Sequence, residues 1–319
     1  IKDKLILNMR FLLLSIFLFS GTFSSFAQLS DLHYLPPLRQ ASGAFSSQAI
    51  YLSTPETSSF AVDIYQGTST TKLTSITISK TSRGLYTLAN GGDNDITLLS
   101  ASKAGSVQSS SGLRFVSPSG KKFYVNWRGK SASQASSLTS KGRAALGTSF
   151  KWGGVPNKGT NYSILNASVG IMATADNTTV RIFGYNPNCV FRSPTNAVGI
   201  TDDALTITLN AGQTYVLEAT IPGANSPNID GWLGASISSD KDIAVNIGEM
   251  HYQPSVVGNQ DCGIDQIIPE NTLGREYVFV RGNGVNNLEF PVVIATQNNT
   301  EIYVNGSATP IATLNIGQY

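Results

Sequence analysis

Along most of this chain, apolar and polar side chains alternate in short runs. In Val180-Arg181-Ile182-Phe183, Val180 and Ile182 fall on one face and Arg181 and Phe183 on the other. A period of two is the signature of a β-strand. Gly, Asn and Asp interrupt the runs at short intervals, and no stretch holds a helical period for long. Asp176-Asn177 is one such break. These side chains bond nearby backbone and tolerate unusual backbone angles, so they supply turns. The pattern predicts an all-β protein.

Strand-turn-strand phrases recur at near-equal spacing, with turns centred near Thr57, Ser119, Asp176, Asp240 and Asn298. Further strands lie between them, such as Leu205–Leu209 and Thr214–Glu218. Two kinds of phrase alternate. Asn177-Thr178 matches Asn299-Thr300, Ser119-Gly120-Lys121 matches Ser239-Asp240-Lys241, and Leu146-Gly147 matches Leu273-Gly274. The larger unit is therefore a pair of phrases. Recurrent four-stranded units predict a β-propeller-like architecture. Tandem β-sandwich modules are the alternative, and the pattern is common to both. Leu314-Asn315-Ile316-Gly317-Gln318-Tyr319 corresponds to Leu209–Tyr215, whose copy runs on as Val216–Ala219. On this reading the repeat is truncated at Tyr319.

Residues 1–27 read as a secretory signal peptide with Met9 as its start. Arg10 precedes the apolar run Phe11–Phe19, and Ser25-Phe26-Ala27 places small residues where signal peptidase needs them. The run is too short to span a bilayer. Residues 28–43 form a lead-in and residues 44–319 the repeat β domain. The signal segment holds Lys2, Lys4, Arg10 and Asp3, so the +2 formal charge of the whole chain comes from it. The remainder is balanced, which removes the main driving force for nucleic-acid binding. No later apolar run is long enough for a membrane span.

Raw material for catalysis is thin. His33 and His251 are the only histidines, too few for a His-rich metal site or a Ser-His-Asp triad with choices. Glu249, Asp261, Asp265 and Glu270 gather around one inter-strand loop. Oxygen ligands suit calcium, with Asp261 and Asp265 the candidate ligands, and paired carboxylates could hydrolyse a glycoside. Their spacing fits no EF-hand loop. Trp127, Trp152 and Trp232 could stack on sugar rings, or could simply be core. Gly282-Asn283-Gly284 lacks the third glycine and the helix of a dinucleotide fingerprint, so no cofactor is expected. The only cysteines are Cys189 and Cys262. An even count in an exported chain favours a disulfide, with two free thiols as the alternative.

One ordered series of motifs carries a resemblance. Ser239-Asp240-Lys241-Asp242-Ile243-Ala244-Val245-Asn246 leads to Gly263-Ile264-Asp265-Gln266-Ile267-Ile268-Pro269, then Leu273-Gly274-Arg275-Glu276-Tyr277-Val278, then the Asn-Asn-Thr turn. This order resembles the N-terminal domain of IgGFc-binding proteins, in the versions found on large secreted Bacteroidetes proteins with gliding-motility or type IX sorting domains. Asp242 stands where that family usually has Pro. The resemblance implies an extracellular or cell-surface binding role; immunoglobulin binding itself does not carry over. The expected function is a secreted, non-catalytic binding or adhesion module for an extracellular protein or glycan. The alternatives are a carbohydrate-active enzyme on a propeller scaffold and a structural spacer. Binding would use the insertion Tyr185–Asp203 and the loop Glu249–Glu270, on one face of a rigid scaffold.

Overall fold

The computed structural model describes residues 28–40, 45–88, 94–254, 260–284, 289 and 291–319. The expected signal segment lies outside them. The first strands are β1 (Leu32–Leu35), β2 (Leu38–Arg39), β3 (Ser47–Ser53), β4 (Phe60–Gln66), β5 (Thr74–Ile78) and β6 (Gly84–Thr87). Then come β7 (Leu98–Leu99), β8 (Val107–Gln108), β9 (Leu113–Val116), β10 (Tyr124–Lys130) and β11 (Ala135–Thr139). A second series is β12 (Gly147–Lys151), β13 (Asn166–Ala173), β14 (Thr178–Phe183), β15 (Ala204–Leu209), β16 (Thr214–Thr220), β17 (Ser236–Tyr252) and β18 (Asp261–Gln266). Last are β19 (Thr300–Ile302) and β20 (Ala312–Leu314). Helix among the described residues is confined to 3-10 turns at Gly142–Ala145, Pro227–Ile229 and Glu270–Thr272. No helix there is long and apolar enough to cross a membrane.

The first series forms two four-stranded sheets, ordered β1-β9-β4-β5 and β11-β10-β3-β6. The second series repeats that plan position for position. The early part of β17 pairs with β12 and β14, and β14 with β15. Its later part pairs with β18 and β13, and β13 with β16. β17 thus belongs to both layers and wraps them into one nearly closed, barrel-like sheet, to whose edge β8 adds. Each series buries one core. Ile50, Val62, Phe115, Val125 and Trp127 share the first; Val169, Ile171, Val180, Ile182 and Val245 share the second.

The first three repeated phrases are two strands around a turn, as the alternation predicts, but none of these is a hairpin. The fourth falls on the single strand β17, and the fifth has a strand, β19, only after its turn. β3 and β4 lie in different sheets, as do β9 and β10. β13 and β14 do not pair with each other either. Each of these three is an arch that crosses from one layer to the other, and β17 makes the same crossing without a break. The reason is visible in the burial: Ile171 before the turn and Val180 after it both point into the same core. Arches stack in twos, β3–β4 on β9–β10 and β13–β14 on β17, which is the pairing of phrase types seen in the sequence. In both stacks a lysine ties the second arch to the first. Lys121 Nζ donates to Ser58 O and Oγ, and Lys241 Nζ to Asp176 O and Asn177 O.

The lead-in is part of this architecture rather than an appendage. β1 completes a layer of the first unit, and Pro36–Arg39 lies across the second. Pro37 O runs so close over Gly170 that a Cβ there would sit 1.8 Å from it. Asn246 Nδ2 donates to Pro36 O at 2.6 Å, and Arg39 pairs with the buried Glu218 at 3.2 Å.

Candidate functional site

The two units meet where β11, an edge strand of the first, runs beside β18, an edge strand of the second. Gln134 Nε2 donates to Gln260 O at 3.2 Å and the Cys262 thiol to Ala135 O at 3.4 Å across this junction. Beside it opens a groove of about 740 Å³, whose lining includes Ala49, Tyr51, Arg128, Ser137 and Cys262–Ile264. Strand register explains its shape. Arg128 stands opposite Ala49 and Ser137, and Lys130 opposite Ser47 and Ala135. Small side chains therefore flank both cations on this face.

Arg128 is held in place. Its Nε donates to Asn126 Oδ1 at 2.7 Å and its guanidinium lies 5.1 Å from the Tyr51 ring centroid. Neither Arg128 nor Lys130 forms an ion pair among the described residues, and both are exposed. Cys262 in the wall is a weak nucleophile, because burial pushes its thiol up to about 11.

Asp261 and Asp265, the candidate calcium ligands, are not gathered with a third His, Cys, Asp or Glu side chain among the described residues. Ile267 N donates to Val245 O. By the alternation of an antiparallel ladder, the amides of Cys262, Ile264 and Gln266 then point away from β17. Asp261 Oδ1 accepts the Cys262 amide and Asp265 Oδ1 the Gln266 amide, each at 2.8 Å. β11 runs beside this edge without pairing to it, so the aspartates satisfy amides that no neighbouring strand takes. Asp265 also pairs with Lys141 at 2.6 Å.

The other carboxylates go separate ways. Glu270 faces Lys151 at 3.9 Å. Glu249 is buried at 4% exposure and accepts the Val155 amide at 2.9 Å. Loss of solvation raises its pKa to about 8, only partly offset by that bond.

The tryptophans are core. Trp152 and Trp232 are fully buried with ring centroids 5.2 Å apart, and Trp127 is 3% exposed with its indole N–H on Gln48. Both histidines are buried as well. His33 bonds Ser140 Oγ and Phe123 O, and burial lowers its pKa to about 4. Cys189 and Cys262 are free thiols, contrary to the expected bridge. Cys189 sits in the core of the second unit, its insertion folded onto Pro227–Gly231, while Cys262 packs towards the core of the first. Of the two expected binding segments, only Glu249–Glu270 contributes to the groove; Tyr185–Asp203 does not. Ser47, Ala49, Arg128 and Ser137 were not singled out from sequence. Only register, which places small residues around two cations, marks them.

No curated protein and no solved structure matches the chain. The model of the family described as IgGFc binding protein matches residues 135–319, from the first residue of β11 through the whole second unit and beyond it. With more than half of its length matched in this way, the chain belongs to the IgGFc-binding protein family.

Proposed function

We propose that this chain is an extracellular, non-catalytic binding module that holds a protein or glycan ligand in the groove between its two units. Membership of a family described by what it binds supports the reading, and the groove at the β11–β18 junction is the observation that carries it. Rigid sheets on both sides give a preformed surface, which spares a ligand the cost of ordering it. The burial of both histidines, and of Glu249, supports a role without turnover. The secretory leader read in residues 1–27 fits the same setting. In finer architecture, we take the arch-linked layers with shared cores as tandem β-sandwich modules, in preference to propeller blades.

The test is an array of extracellular proteins, immunoglobulins and mucin included, beside host and plant glycans. Saturable binding that Ser137→Trp abolishes, with no reducing sugar released, is the expected result. Binding unaffected by Ser137→Trp would remove the groove from the account, and sustained sugar release would remove the non-catalytic reading.

A further inference from the structure

The groove's chemistry narrows what it takes, on the assumption that it is the binding site. Arg128 and Lys130 are alternate residues of β10 on its solvent face. At the rise of a strand their Cα atoms stand roughly 7 Å apart. The Arg128 side chain is preset, with Nε on Asn126 and one guanidinium face on Tyr51, so its terminal nitrogens form a fork towards solvent. Such a fork fits the two oxygens of a carboxylate or a sulfate. Around the cations stand Ser47, Ala49, Ala135 and Ser137, which leave room for a chain to pass and offer hydroxyls to it. Asp261 is the nearest opposing charge along β18, and its Oδ1 is occupied by the Cys262 amide.

A peptide in extended form would seek a sheet edge, since its own amides and carbonyls need partners. The β18 edge is closed to it, because β11 already runs beside that edge and Asp261 and Asp265 take two of its outward amides. A saccharide needs no such ladder. We infer that the groove binds an anionic glycan chain, carboxylated or sulfated, with Arg128 and Lys130 on successive acidic groups and the serine hydroxyls on the sugar.

The test uses the full chain with polygalacturonate, heparin, dextran and poly-glutamate as probes, by calorimetry at physiological and raised salt. Expected is saturable, salt-weakened binding to polygalacturonate or heparin and none to dextran or poly-glutamate. The two anionic polymers separate carboxylate from sulfate as the preferred group. Arg128→Ala with Lys130→Ala should weaken binding at least about tenfold, the scale of a lost charged hydrogen bond, and Ser137→Trp should abolish it. Unchanged melting shows that these exposed substitutions leave the fold intact. Equal binding by the double variant, or equal binding of poly-glutamate, would overturn the assignment. So would failure of both anionic polysaccharides; the binding-module reading would then still stand if Ser137→Trp removed some other ligand from the array.

Discussion

At residues 173–178 and again at 295–300 the chain makes the same turn. Asn177 N donates to Asn210 Oδ1 at 3.0 Å, and Asn299 N to Asn315 Oδ1 at 3.2 Å. Ala211 N reaches Asp176 Oδ1 at 2.9 Å, and Ile316 N reaches Asn298 Oδ1 at 3.1 Å. Asn210 bonds Gln213 as Asn315 bonds Gln318. Asn177 and Asn299 share a left-handed backbone, at φ 52° and 57°. The flanking segments differ, although Val292 and Ile294 pack against the second core. Every residue of β13 is buried between β16 and β17, whereas Val293, Tyr303 and Val304 are 37%, 48% and 45% exposed. The comparison separates two levels of encoding. Turn hydrogen bonds follow from residues close at hand; a buried strand also requires neighbours on both edges.

The largest expected contrast lies in the strands. Ile171→Ala should destabilise the chain by about 2–5 kcal/mol, as a buried truncation does. Val293→Ala should change stability by less than about 0.5 kcal/mol. Urea unfolding measures both, and similar losses would end the distinction.

A pH experiment sharpens it. Glu249 has a folded pKa of about 8 against an ordinary 4.5, so the folded chain holds this proton more tightly. Stability from it is full below pH 4.5 and is lost as pH rises through 8. Glu249→Gln should remove that decline and stabilise the chain at pH 7 by up to about 3 kcal/mol. His33 in the first unit acts in the opposite sense. Its pKa of about 4 lies below the ordinary 6.5, so its contribution is lost as pH falls from 6.5 through 4. Between pH 5 and 8, protection of the Ala211 amide should fall relative to that of Ile316, once intrinsic exchange is removed. Parallel behaviour would mean that the two turns answer to one core.

The smallest effect is the most local. Asn177→Ala and Asn299→Ala should each cost about 1 kcal/mol of turn stability, the penalty of a left-handed residue without asparagine's tolerance. Amide exchange at Ala211 and Ile316 reads these losses separately, and unequal values would show that burial reaches into the turn.

These levels also explain what the sequence made legible. Alternation located the strands, and Asp176-Asn177 marked a turn that the repeat restated at Asn298-Asn299; Asn177 and Asn299 both prove left-handed. Arch and hairpin, however, have the same pattern, since both are two alternating runs around a turn. What separates them is whether Val180 faces Ile171 across a core or lies beside it in one layer, a relation between distant residues. The groove was hidden for a similar reason. Ser47, Ala49 and Ser137 carry no signal alone and acquire meaning only through their register with Arg128 and Lys130. Nor does composition show that Asp261 and Asp265 each accept the amide of the residue that follows.

β17 has a mechanical consequence. It is one unbroken strand of 17 residues, its start laced into one layer and its end into the other. The corner between them, at Asp240–Asp242, is fastened where Thr174 bonds Asp242 O and Lys241 grips the neighbouring turn. Tension that begins to peel one layer is therefore passed along the same backbone to the second. The two layers share the load as a stitched seam does, and the unit should yield in one step at high force instead of fraying layer by layer.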